Sequence, residues 1–195
     1  MSARDDILAG VRLALKTADV SAVHVPRGYR ETAPADVDLF VDRVADYRAV
    51  VVRCGADEVQ ARIADALPEG ARALVPEGLP WHVADAVSDD QLSALELDRV
   101  DAVVTAATVG IAETGTIVLS HGPGEGRRAL TLVPDLHVCV VRVDQVVADV
   151  PDAFKLLDAD RPSTWISGPS ATSDIELNRV EGVHGPRRLH VIVAG

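Results

Sequence analysis

The chain has 195 residues, 48% of them hydrophobic, which is enough apolar surface for one core and too little for two ordinary domains. Thirty acidic residues against nineteen basic give a net charge of -11, a field that repels phosphate backbones and anionic headgroups and so excludes nucleic acid and membrane surfaces as general partners. Aromatics at 3% leave the core to Ala, Val, Leu and Ile, which suits buried strands and packed helices and favours an α/β class over an aromatic-rich sandwich.

The opening residues, MSARDDILAG, carry acids where a signal peptide needs a basic head, and no run approaches the ~20 apolar residues of a membrane span. A cytoplasmic protein with no membrane insertion is expected. Between Arg4 and Thr17, Ile7, Leu8, Val11 and Leu15 recur at helical spacing, and after an aperiodic arm over 19–38 a second helix is expected at Val37–Tyr47. Residues 1–47 thus read as a helical N-terminal region of a single domain spanning 1–195. Ala49–Arg53 is a β-branched run ending at Gly55, Asp57–Leu67 has helical spacing, Ala71–Val75 is a second strand, and Trp81–Val87 reads as a further helix. Alternation of this kind implies a largely parallel sheet flanked by helices. Strands then crowd together at Ala102–Thr105, Gly115–Ser120, His137–Val143, Ser163–Ser167 and Leu189–Val193, separated by Gly/Pro-rich loops where a site is expected.

Four stretches carry candidate chemistry. In Gly110–Thr116, GIAETGT, a carboxylate and hydroxyls sit beside glycines, so Glu113 either acts as base or nucleophile or hydrogen-bonds the turn, with Thr114, Gly115 and Thr116 as ligand contacts. The loop SHGPGEGRR, 120–128, ends in Arg127 and Arg128, whose planar forks suit a carboxylate or phosphate, although it has neither a P-loop nor a dinucleotide fingerprint. In SGPSATSDIE, 167–176, the Ser173/Glu176 spacing is that of a capping box, so Gly168, Ser170, Thr172 and Asp174 would surround a helix start that either cradles an anion or simply caps the helix. Finally His184, between Gly182 and Gly185 in a turn, is placed to move a proton. Cys54 and Cys139 stand singly in strand-like sequence and read as reduced, buried thiols, and the histidines lack HxxxH or HxH spacing. No metal, cluster, flavin or nicotinamide cofactor is expected.

GIAETGTIVL at 110–119, the Arg127-Arg128 loop leading to Leu132-Val133-Pro134 and His137-Val138, and SGPSATSDIE with VEGVHGPRRLHVIV at 167–193 together resemble the LUD-domain family, specifically over 98–195. The resemblance implies a fold similar to the sugar-phosphate isomerase and CoA-transferase group. It also implies an accessory or substrate-handling part in oxidising L-lactate to pyruvate, beside iron–sulfur partner proteins of lactate utilisation. A basic residue would be expected at 171 from that resemblance; Ala171 stands there and removes a charge from the anion site. Two other functions stay open: an independent CoA-transferase-like or isomerase-like enzyme using Glu113, and a regulatory module that binds small hydroxy acids.

Overall fold

The computed structural model describes residues 2–19, 24–26, 28, 33–169 and 185–195. It comprises two compact units, Met1–Arg30 and Glu31–Gly195. In the first, α1 (Ala3–Ala14) is started by a capping box in which Ser2 and Asp5 satisfy each other's backbone N–H, and it buries none of its residues.

The second unit holds the sheets. Its first helix, α2 (Val37–Asp46), begins where the Asp36 carboxylate accepts from the Leu39 N–H, and its inward face is Phe40 and Val44. Then come β1 (Val50–Cys54), α3 (Val59–Ala66), β2 (Ala73–Val75), β3 (Val87–Ser88), α4 (Ala94–Leu97) and β4 (Ala102–Thr105). The remaining elements are β5 (Val109–Ile111), β6 (Thr116–Leu119), β7 (Leu136–Arg142), β8 (Val146–Val147), α5 (Val150–Leu156), β9 (Thr164–Ile166) and β10 (Arg188–Ala194). Among the described residues no helix is long and apolar enough to cross a membrane.

Six strands form a parallel sheet in the order β1-β10-β7-β4-β2-β3, the α/β architecture expected from the alternating pattern. A second sheet, in the order β8-β5-β6-β9, is mixed: β5–β6 and β6–β9 are antiparallel, β5–β8 parallel. Alternation along the central strands divides the interior. Val138, Val140 and Ile192 pack against Val59 and Ile63 of α3, whereas Cys139, Val141, Val191 and Val193 face Phe40 and Val44 of α2 and Ile117 and Leu119 of the small sheet. Buried on both faces, β7 reads in sequence as a continuous apolar run. The far face of the small sheet, Val109, Ile111 and Val118, is covered by Ala153 of α5.

Trp81–Val87 is not the helix expected from its apolar spacing. It runs as turns into the short β3, and Asp85 takes a left-handed φ of 51°, which a helix interior excludes.

Candidate functional site

The GIAETGT stretch is a β-hairpin: Val109–Ile111 is itself a strand, antiparallel to Thr116–Leu119, with Ala112–Gly115 as the connection. Gly115 takes φ +61°, and a Cβ there would lie 2.7 Å from the carbonyl carbon of Arg43. Only glycine allows both the left-handed backbone and that approach to the end of α2. Lower in the hairpin, Gly110 lets the backbone close on Phe40, its absent Cβ 3.0 Å from the ring. The tip is held from two further sides. The N–H groups of Ala112 and Glu113 donate to the carbonyls of Val147 and Ala148, at 2.9 and 3.0 Å, and the Tyr47 hydroxyl donates to the Thr114 carbonyl at 3.2 Å. Glu113 is left with its side chain exposed on a fixed backbone.

Three hydroxyls run from this tip. Thr114 Oγ1 lies 2.8 Å from Thr116 Oγ1, which lies 2.8 Å from Ser167 Oγ at the start of the SGPS turn. Thr114 is half-buried, Thr116 buried and Ser167 exposed, so the middle of the row is interior and its Ser167 end faces solvent. Gly168 has φ +95° and a Cβ on it would meet the Cβ of Tyr47 at 2.8 Å. Both turns therefore converge on the C-terminal end of α2, with Tyr47 touching each. Hydroxyls that both donate and accept can bind a carboxylate or an alcohol, and a neighbouring carboxylate can take a proton.

The structure thus brings Thr114, Gly115, Thr116 and Gly168 together, with Glu113 adjoining them only as the chain neighbour of Thr114. Ser170, Thr172, Asp174 and His184 lie outside the described residues. Arg127 goes elsewhere: its Nε and a terminal nitrogen donate to the two carboxylate oxygens of Asp89 at 2.8 and 2.9 Å, and the same terminal nitrogen donates to the Leu92 carbonyl. Its fork, expected to grip a ligand, instead ties the 120–128 loop to the segment before α4. The Arg127 guanidinium holds the Asp89 carboxyl below the usual carboxylate range, against the opposing effect of burial. Arg128 is exposed, with Nη1 3.4 Å from Thr131 Oγ1.

That loop is organised by buried Glu125, which accepts from the Thr108 hydroxyl and the Ser120 N–H, each at 2.6 Å. His121 sits between the Gly126 carbonyl, 2.8 Å from Nδ1, and Thr164 Oγ1, 2.9 Å from Nε2. With the Nδ1 proton given to the carbonyl, Nε2 accepts from the threonine, and both nitrogens are satisfied. Cys54 and Cys139 are free and buried, and burial pushes the Cys139 thiol up to about 12. Among the described residues no cluster of three or more His, Cys, Asp or Glu could hold a metal ion.

Tyr47 and Ser167 escaped attention as site residues in the sequence. Gly115 and Gly168 signal that two backbones come close to something, but only the fold shows that the common neighbour is the end of α2.

The class defined by these features is a two-sheet α/β protein with a row of hydroxyls leading from a hairpin tip that carries a carboxylate. The chain belongs to the LUD domain family, whose model matches residues 78–194 and so includes both turns. It is 52% identical over 165 residues to lactate utilization protein C of Deinococcus radiodurans, covering 80% of this chain and 78% of that protein. It is 38% identical over 106 residues to lactate utilization protein C of Halalkalibacterium halodurans, covering 49% of this chain and 45% of that one. A crystal structure of a DUF162 family protein from Deinococcus radiodurans is similar at a TM-score of 0.72 and 45% identity, over 82% of this chain and 96% of that chain.

Proposed function

We propose that this chain is the substrate-handling component of a lactate utilisation system, holding L-lactate while iron–sulfur partner proteins accept its electrons. The observation that carries this reading is the hydroxyl row from Thr114 through Thr116 to Ser167 beside exposed Glu113. Such a row offers donors to a carboxylate and an acceptor to an alcohol, the two functional groups of a 2-hydroxy acid. The names of the similar proteins, lactate utilization protein C, supply the acid.

Forming pyruvate takes the hydroxyl proton and the hydrogen on the carbinol carbon with its electron pair. In this reading Glu113 receives the hydroxyl proton, the carbinol hydrogen is released as a second proton to solvent, and its two electrons pass to the partners' iron–sulfur centres. Side chains alone provide no reusable electron acceptor. Cys54 and Cys139 stand on β1 and β7 with β10 between them, each buried, an arrangement unsuited to ligating a shared cluster. A second reading, acyl or proton transfer by Glu113 in an independent CoA-transferase-like enzyme, is favoured by the exposure of that carboxylate on a pinned hairpin.

Deleting the chain should stop growth on L-lactate, and Glu113→Gln, which keeps volume and removes charge, should fail to restore it while remaining folded. Full complementation by Glu113→Gln would assign Glu113 to the turn alone. Lactate-dependent reduction of an artificial acceptor by the isolated, cofactor-free chain would overturn the accessory role.

A further inference from the structure

At the edge of the small sheet opposite β9, the strand β8 borders a cavity of about 320 Å³. Its walls are aliphatic: Val147 and Ala148 on the strand side, Leu156 of α5, and Ala33 and Ala35 from the segment before α2. Two charged side chains of α5 interrupt them, Asp152 and Lys155, joined through Oδ1 and Nζ at 2.7 Å. The Asp152 side chain is 8% exposed and that of Lys155 59% exposed, so the carboxylate lies inward of the ammonium. An ammonium has three donors and a carboxylate about four acceptor sites, so one shared bond exhausts the capacity of neither. The cavity also shares a wall with the Glu113 hairpin. Val147 and Ala148, which line it, are the residues whose carbonyls accept from the N–H groups of Ala112 and Glu113.

We propose that this cavity is a second binding site, for the zwitterion of an aliphatic amino acid, and that its occupancy braces the Glu113 hairpin. The site is separate from the hydroxyl row and does not depend on the function proposed for that row. Opposite charges side by side among methyl groups define the ligand. Its carboxylate meets the Lys155 ammonium, its ammonium meets the Asp152 carboxylate, and its branched side chain lies on Val147, Leu156 and the alanines. A plain carboxylate would face Asp152 with like charge, and a plain amine would face Lys155 in the same way. The volume stands at the lower end of small-molecule pockets, which begin near about 300 Å³. The amides of Ala112 and Glu113 reach water only when β8 parts from the hairpin, and a parted β8 no longer walls the cavity. A bound ligand therefore holds that ladder closed.

The test is isothermal titration calorimetry of the full chain with L-leucine and with its two single-charge analogues, isocaproate and isoamylamine. Each analogue should bind about tenfold more weakly than leucine, having lost one charge-assisted hydrogen bond. Lys155→Met, which keeps the aliphatic stem and removes the ammonium, should bring leucine down to the affinity of isoamylamine. The analogue series in the wild type decides the point even if that variant fails to fold. With leucine at about ten times its Kd, hydrogen exchange of the Ala112 and Glu113 amides should slow about tenfold. No binding of leucine up to about 10 mM overturns the site, as do analogues that bind as well as leucine or a Lys155→Met affinity equal to that of the wild type. Exchange rates unchanged at saturation overturn the bracing of the hairpin. None of these results bears on lactate, so the proposed function stands or falls by its own test.

Discussion

Gly115→Ala perturbs the point where the hairpin rests on α2. An alanine at φ +61° carries left-handed strain of about 1–2 kcal/mol. Its methyl would also lie 2.7 Å from the Arg43 carbonyl carbon and 2.9 Å from the carbonyl oxygen, backbone atoms that cannot rotate away. Overpacking of this kind costs about 1–3 kcal/mol, so the total spans roughly 2–5 kcal/mol and centres on about 3.5. Gly70→Ala is the control, because Gly70 has φ +72° and nothing within 4 Å of its absent Cβ, which leaves strain without collision. With a urea slope of about 2 kcal/mol per molar, the midpoint should fall by ~1.5–2 M for Gly115→Ala and by ~0.5–1 M for Gly70→Ala. Circular dichroism against urea reads both. Equal shifts would mean that the hairpin does not close on Arg43, and the case for two turns converging on α2 would lose one of its supports.

Three further predictions concern charge. Arg127→Ala should lower stability by about 2 kcal/mol, since it leaves the mostly buried Asp89 carboxylate without its fork, and it should leave hydroxy-acid affinity alone; ligand binding lost at unchanged stability would return Arg127 to the site. Because Asp89 is held below the ordinary carboxylate range, the stability it contributes is present above about pH 4 and lost as pH falls through the folded value, so Asp89→Asn should flatten that acid limb. His137 is wholly buried against Thr105 Oγ1, with its pKa pushed down to about 4 by burial. The unfolded chain binds that proton near pH 6.5, so stability should decline as pH falls from about 6.5 towards 4, on the order of 3 kcal/mol in all. His137→Gln should remove most of the slope, with His190, also lowered by burial, supplying a remainder. A wild-type stability that is level across that window would refute the assignment.

The parallel sheet was legible because its strands are aliphatic runs set off by glycine, proline and amphipathic helices; Val138 to Val141 need no partner to be recognised as buried. The small sheet was legible only in part: β6 and β9 match strands expected at 115–120 and 163–167, whereas β5 and β8 were not expected. Val109–Ile111 has three residues, too short for periodicity to declare, and its pairing with β6 turned an expected loop into a hairpin. Trp81–Val87 failed for the converse reason: a few apolar residues happened to match a helical repeat, and the left-handed Asp85 overruled them. At the site, the chemistry of Glu113, Thr114 and Thr116 could be named from residue type, while the role of Arg127 was settled by Asp89, 38 positions earlier, a distance no local pattern spans. Tyr47 was invisible as a site residue because nothing in its helix indicates which turns will land on it.

The position of β10 has a consequence for how the molecule is made. It lies between β1 and β7, so among the described strands β1 joins the sheet only through it, with Val50 beside His190. Every residue between those two must be gathered before that pairing forms, a long loop closure that delays the reward and slows folding. Until then β1 and β7 each present an open, aliphatic edge of the same polarity, separated by a gap one strand wide. A chain caught at that stage can accept β10 from another copy as readily as its own, and the kinetic hazard of this architecture is strand exchange and aggregation while that slot stands empty.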